Sequence, residues 1–127
     1  MCDEKEEELC ECGGRFNRFV EPRLLLLLIE GKSYGYELVS RLNEISFPGD
    51  PLDAGNVYRN LRRMEKEELV ESEWAMAKSG PPKRVYRITI EGEDRLHAWT
   101  FIFKKRKEAM EKLLEKYYRL QKDKNRK

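Results

Sequence analysis

Residues 53–70, DAGNVYRNLRRMEKEELV, carry two helical stripes at once. Val57, Leu61 and Met64 fall at i, i+4 and i+7, which makes an apolar face for a core. Asn56, Arg59, Asn60 and Arg63 repeat that spacing on a second, rotated face. Asp53 stands where a helix needs an N-cap. Amides and guanidiniums on one helix face are the groups that read base edges in a major groove, Arg pairing with guanine and Asn with adenine. On an isolated helix the same stripe would only solvate the surface, so the neighbouring segments decide between the two readings.

Upstream, EPRLLLLLIEG at 21–31 predicts a helix with Pro22 in its first turn and Gly31 at its end. Its unbroken leucines call for burial on most sides. Ser33 is placed to cap the next helix, whose Leu38, Val39 and Leu42 share one face. SFPGDP at 46–51 then breaks the pattern. Downstream, Val70, Trp74 and Met76 lie on one parity of a strand, and Tyr86, Ile88 and Ile90 on one parity of another. Trp74 reads as a core residue. AKSGPPK at 77–83 forms a turn with a basic rim. After Gly92 no Pro or Gly interrupts the chain, and Trp99, Phe103, Arg106, Met110, Leu113, Tyr117 and Leu120 step alternately by four and three, the seam of a coiled coil.

Helix, helix, break, helix and basic hairpin is the order of a winged helix-turn-helix. The expected fold is mainly α with a small β-hairpin, followed by a long C-terminal dimerisation helix. The expected organisation is a flexible Cys-containing tail over 1–14, a DNA-binding domain over 15–92, and the dimerisation helix with its basic end over 93–127. With a helix-turn-helix in front and a basic wing behind, duplex DNA becomes the best partner for the polar stripe.

EPRLLLLLIEGKSYGYELVSRL, GNVYRNLRRMEKEELVESEW and KRVYRITIEGEDRLHAW resemble the PadR-like transcriptional regulators over roughly residues 15–120. The most specific pieces are Gly35-Tyr36-Glu37-Leu38, Val57-Tyr58 with Leu61, and Tyr86-Arg87-Ile88-Thr89 with Gly92. The length resembles the short type with a single C-terminal helix. The resemblance implies a repressor that works as a homodimer joined through the C-terminal and first helices; with one recognition helix per major groove, such a dimer is expected to read an inverted-repeat operator. It further implies release by a small aromatic or hydrophobic ligand at the dimer interface, with Trp99 and Phe103 as candidate contacts. The chain departs from the family at Glu68, where Gly is common; a left-handed backbone there strains a residue with a Cβ.

These readings assign Asn56, Tyr58, Arg59, Asn60 and Arg63 to DNA recognition from the helix. Ser33, Tyr34, Lys78, Lys83 and Arg84 are assigned to contacts from the flank and wing. Arg15 and Arg18 are further phosphate candidates. Trp99, Phe103, Met110, Leu113 and Tyr117 are assigned to dimerisation.

Composition sets bounds on other functions. Charged residues make up 39% of the chain and hydrophobic ones another 39%, with a net charge of +2. So polar a chain points to a helix-rich protein that completes its core by pairing, and the near-neutral total locates any DNA affinity in local basic patches. LLLLLI at 24–29 is far shorter than the ~20 apolar residues of a membrane span, and the acidic start is unlike a signal peptide; a cytoplasmic protein is expected. Cys2, Cys10 and Cys12 cluster near one end, a poor disulfide framework and an incomplete metal set. His97 has no catalytic partner at a useful spacing and reads as a helix-surface residue. No enzyme, metal site or cofactor is expected. The reading from another class is a winged-helix protein adaptor that works through its C-terminal helix and binds an acidic partner.

Overall fold

The computed structural model describes residues 19–45, 52–76 and 80–125. The Cys-containing tail, Arg15, Arg18 and Lys78 lie outside the described residues. Helix α1 is Val20–Ile29. Val20, Leu24, Leu25, Leu27 and Leu28 are buried, while Leu26 and Ile29 are half exposed. Arg23 is buried too. Its guanidinium donates to the carbonyls of Phe19 at 2.8 Å and Ile45 at 3.1 Å, which replaces the water it gave up.

Ser33 does not cap a helix. Ser33–Tyr34 form a two-residue strand, β1, with Ser33 buried opposite Tyr86. Helix α2 starts after them, at Gly35, and runs to Leu42. The Glu37 carboxylate closes its start by accepting from the Tyr34 backbone N–H at 3.0 Å. A single 3-10 turn, Asn43–Ile45, follows.

Helix α3 is Ala54–Lys66, capped by Asp53, whose Oδ1 accepts from the Asn56 N–H at 2.7 Å. Val57, Leu61 and Met64 are fully buried, as their spacing predicts. The helix ends in a Schellman motif. The Leu69 N–H reaches the Met64 carbonyl at 2.8 Å and the Glu68 N–H reaches that of Glu65 at 3.1 Å. Glu68 takes the left-handed position, with φ of 63°.

Strands β2, Val70–Ala75, and β3, Lys83–Ile88, form an antiparallel hairpin in register from Val70↔Ile88 to Ala75↔Lys83. β1 pairs with the other edge of β3, so the sheet order is β1-β3-β2. The hairpin thus leans on a third strand as well as on helices. Along one parity of β2 and the residue after it, exposure climbs from 1% at Val70 to 62% at Trp74 and 86% at Met76. The expectation of a core Trp74 is therefore corrected: the hairpin outruns the body it packs on, and parity alone does not bury a side chain there. Trp74 lies under the Arg84 guanidinium instead, 4.7 Å from its ring centre.

Ile90 is not a strand residue. Helix α4 spans Ile90–Asn125 and begins two residues before Gly92. Thr89 starts it: its carbonyl accepts from the Glu93 N–H and its Oγ1 from the Gly92 N–H, both at 3.0 Å. Gly92 is required for close approach, because a Cβ there would overlap the Leu69 carbonyl oxygen. The chain divides into two compact units, the first ending at Leu96 and the second starting at His97. In the second, Trp99 is buried and stacks on Phe103 at 5.6 Å. Met110, Leu113, Leu114, Tyr117, Tyr118 and Leu120 are all exposed in the single chain. Among the described residues no helix is long and apolar enough to cross a membrane.

Candidate nucleic-acid interface

With Val57, Leu61 and Met64 turned inward, α3 presents Tyr58, Arg59, Arg62 and Lys66 to solvent. Arg59, Arg62 and Lys66 form a cationic row along the helix. Asn56 is half buried and is held in place: its amide reaches Asp53 Oδ2 at 3.3 Å and its oxygen accepts from the Arg59 guanidinium.

Asn60 and Arg63 do not project with Asn56 and Arg59. Asn60 is 8% exposed and donates to the Asn56 carbonyl at 2.8 Å. Arg63 donates to Asn60 Oδ1 at 3.2 Å and pairs with Glu67 and, at 3.0 Å, with the buried carboxylate of Glu21. The i, i+3, i+4, i+7 set that starts at Asn56 leaves out Arg62 and Lys66. Anchoring it one position earlier, on Gly55, gives Gly55, Tyr58, Arg59 and Arg62, with Lys66 one turn further on. All five are exposed.

A cleft of about 180 Å³ lies between α2, α3 and the wing, lined by Gly35, Tyr36, Tyr58, Lys83, Arg84 and Tyr86. Tyr36 stacks on Tyr34 with centroids 5.6 Å apart, and Lys83 Nζ lies 4.8 Å from the centre of the Tyr36 ring. Arg84 is steadied by Ser72 Oγ at 3.1 Å and the Glu65 carboxylate at 3.4 Å. Burial pushes the Tyr86 phenol above its ordinary pKa, with Arg84 pulling it down and Glu65 adding to the rise. The cleft therefore offers tyrosines from α2, α3 and β3 and two cations from β3, a set that suits a phosphate oxygen. Of the flank and wing residues named from sequence, Tyr34, Lys83 and Arg84 gather here, whereas Ser33 is buried.

A second cleft, lined by Glu65, Glu68, Val70, Glu71, Ser72, Thr89 and Glu91, has the opposite charge and would repel a polyanion. Among the described residues no group of three or more His, Cys, Asp or Glu is placed to hold a metal ion.

Three helices and a three-stranded wing, with a cationic outward face on the third helix, define a winged helix-turn-helix protein. Residues 24–98 match the sequence model of the transcriptional regulator PadR-like family, and the chain belongs to that family. It is a transcriptional regulator rather than an enzyme. It is similar to the crystal structure of a conserved protein of unknown function described as a potential transcriptional factor. That structure is 35% identical with a TM-score of 0.74, over 85% of this chain and 96% of the other. The fold is shared with Bacillus subtilis PadR solved in complex with operator DNA, at 23% identity and a TM-score of 0.59, over 65% of this chain and 47% of that one. A curated relative, an uncharacterised protein of Lysinibacillus sphaericus, is 27% identical over 70 residues, 55% of this chain. The match spans 64% of that relative's length.

Proposed function

We propose that the chain is a cytoplasmic, sequence-specific DNA-binding repressor that acts as a homodimer. The observation that carries this reading is the cationic row Arg59, Arg62 and Lys66 on α3, the helix whose Tyr58 lines the cleft that holds Lys83 and Arg84. In this reading α3 enters a major groove, with Asn56 and Arg59 nearest the base edges. Tyr58, Tyr34, Lys83 and Arg84 hold the sugar-phosphate backbone. The exposed apolar residues Met110, Leu113 and Tyr117 of α4 seat a second copy, because such a stripe left in water would promote association. Two recognition helices then read an inverted repeat with half-sites about one helical turn apart. Trp99 stacked on Phe103 is the candidate platform for a small aromatic or hydrophobic effector, which would release DNA by favouring a dimer with wrongly spaced recognition helices.

The test is a gel shift on the DNA upstream of the protein's own gene, with random DNA as competitor, alongside sedimentation of the free protein. Retention that resists competitor, a dimer in solution, and loss of that dimer in Leu113→Glu are the expected results. Equal retention of every sequence would remove sequence reading and leave only the electrostatic part. A monomer at micromolar concentration would remove the role given to α4.

A further inference from the structure

The side chain of Glu21 in α1 is 3% exposed, and two arginines converge on it. Arg63 of α3 lies 3.0 Å from Oε1, and Arg95, in the opening turns of α4, donates to Oε2 at 3.0 Å. Arg95 also lies 3.7 Å from Glu67, the residue that caps the end of α3, and Glu67 pairs in turn with Arg63. Two carboxylates and two guanidiniums thus alternate between α1, the end of α3 and the root of α4. From Arg63 the chain of polar contacts continues to Asn60 and from there to the Asn56 carbonyl.

We propose that this cluster is a latch that fixes the end of the recognition helix to the root of α4, and that Arg63 is a positioning residue rather than a DNA contact. The chemistry requires something of this kind. A charged carboxylate buried as deeply as Glu21 needs donors or cations held against it, and two guanidiniums lie 3.0 Å from its oxygens. If Arg63 turned to a phosphate, Glu21 Oε1 would lose the cation 3.0 Å from it and Arg95 alone of these two would remain on the carboxylate. Arg95 makes the same carboxylate answerable to α4. A shift of the α4 root therefore reaches the end of α3 through Glu21 and Glu67, beside the Schellman turn that leads into the wing.

The inference rests on the DNA-binding reading for its consequence but not for its existence, so two measurements are needed. The first is hydrogen exchange of the free full chain. Glu21→Gln and Arg95→Gln should each speed exchange of the amides of Leu61–Leu69 by about tenfold relative to the amides of α2. The second is affinity, across a salt series, for a duplex selected from random DNA by the wild type. Glu21→Gln, Arg95→Gln and Arg63→Ala should each weaken binding by about tenfold and leave the slope of log K against log salt unchanged. A slope that falls by about one in Arg63→Ala, with wild-type affinity in Glu21→Gln, would make Arg63 a phosphate contact and overturn the proposal. Unchanged exchange in Glu21→Gln and Arg95→Gln would overturn it as well. A wild type that selects no sequence would defeat the DNA reading alone, and exchange would then decide the latch. Should Glu21→Gln fail to fold, Arg95→Gln decides by the same readings.

Discussion

The Tyr58 ring lies directly against the backbone of Gly35: a Cβ added there would stand 2.6 Å from Tyr58 Cε1. Tyr58 is 37% exposed, so the ring has room to swing outward. Gly35→Ala should therefore change folding stability by less than about 1 kcal/mol, while turning Tyr58 out of the cleft. If Tyr58 lines the phosphate path, operator affinity falls by about tenfold, the order of one charge-assisted contact. Urea unfolding and a gel shift check the two halves separately. Undiminished affinity would remove Tyr58 from the interface.

Gly92 meets a harder obstacle. Its absent Cβ would collide with a backbone oxygen, that of Leu69, and with the Ile88 side chain. A carbonyl already accepting from the Thr89 N–H at 3.1 Å and its Oγ1 at 3.0 Å cannot swing aside. Gly92→Ala should cost about 1–3 kcal/mol of stability, read from the urea midpoint. A wild-type midpoint would mean that the contact between the base of the wing and α4 is slack.

Glu68 is a place where stability is open to improvement. Its φ of 63° costs a residue with a Cβ about 1–2 kcal/mol, partly offset because Gly loses more chain entropy on folding. Glu68→Gly should raise stability by about 0.5–1 kcal/mol, again by urea unfolding. A loss would show that the Glu68 side chain supports the turn in some way that outweighs its backbone strain.

Trp74→Ala separates the sequence expectation from the structure. A core tryptophan would cost about 3–5 kcal/mol on truncation. A solvent-facing indole that only stacks on Arg84 should cost about 0.5–1 kcal/mol. Thermal unfolding distinguishes the two, and a drop on the larger scale would return Trp74 to the core.

The helices of the wing domain were legible because each satisfies a local rule: Pro22 in a first turn, Asp53 as a cap, and Val57, Leu61 and Met64 on one face. The left-handed turn at Glu68 was legible only through the family resemblance, since Glu gives no local signal for it. Ser33 was misread because a two-residue strand has no periodicity; its partner, Tyr86, lies far along the chain and nothing near Ser33 announces it. Trp74 failed for a related reason. Strand parity reports which face a side chain takes, and burial depends on whether anything covers that face. For the candidate interface, the helix and its polar side were readable, but the rotation was not. Asn60 and Arg63 look like outward polar residues until Glu21, some forty residues earlier in the chain, is seen to claim Arg63.

Leu69 and Thr89 tie the two ends of the hairpin together at its base, through the backbone and through Thr89 Oγ1. The hairpin is therefore closed at this stem and held further out by β1 and by the Arg84–Glu65 pair with α3. Such a stem decouples the length of the wing from the fold beneath it. Residues inserted or exchanged near Gly80 would lengthen or re-tip the wing while the stem keeps its place, so on the DNA-binding reading proposed above this loop alone resets what the wing touches, with the helical body left untouched.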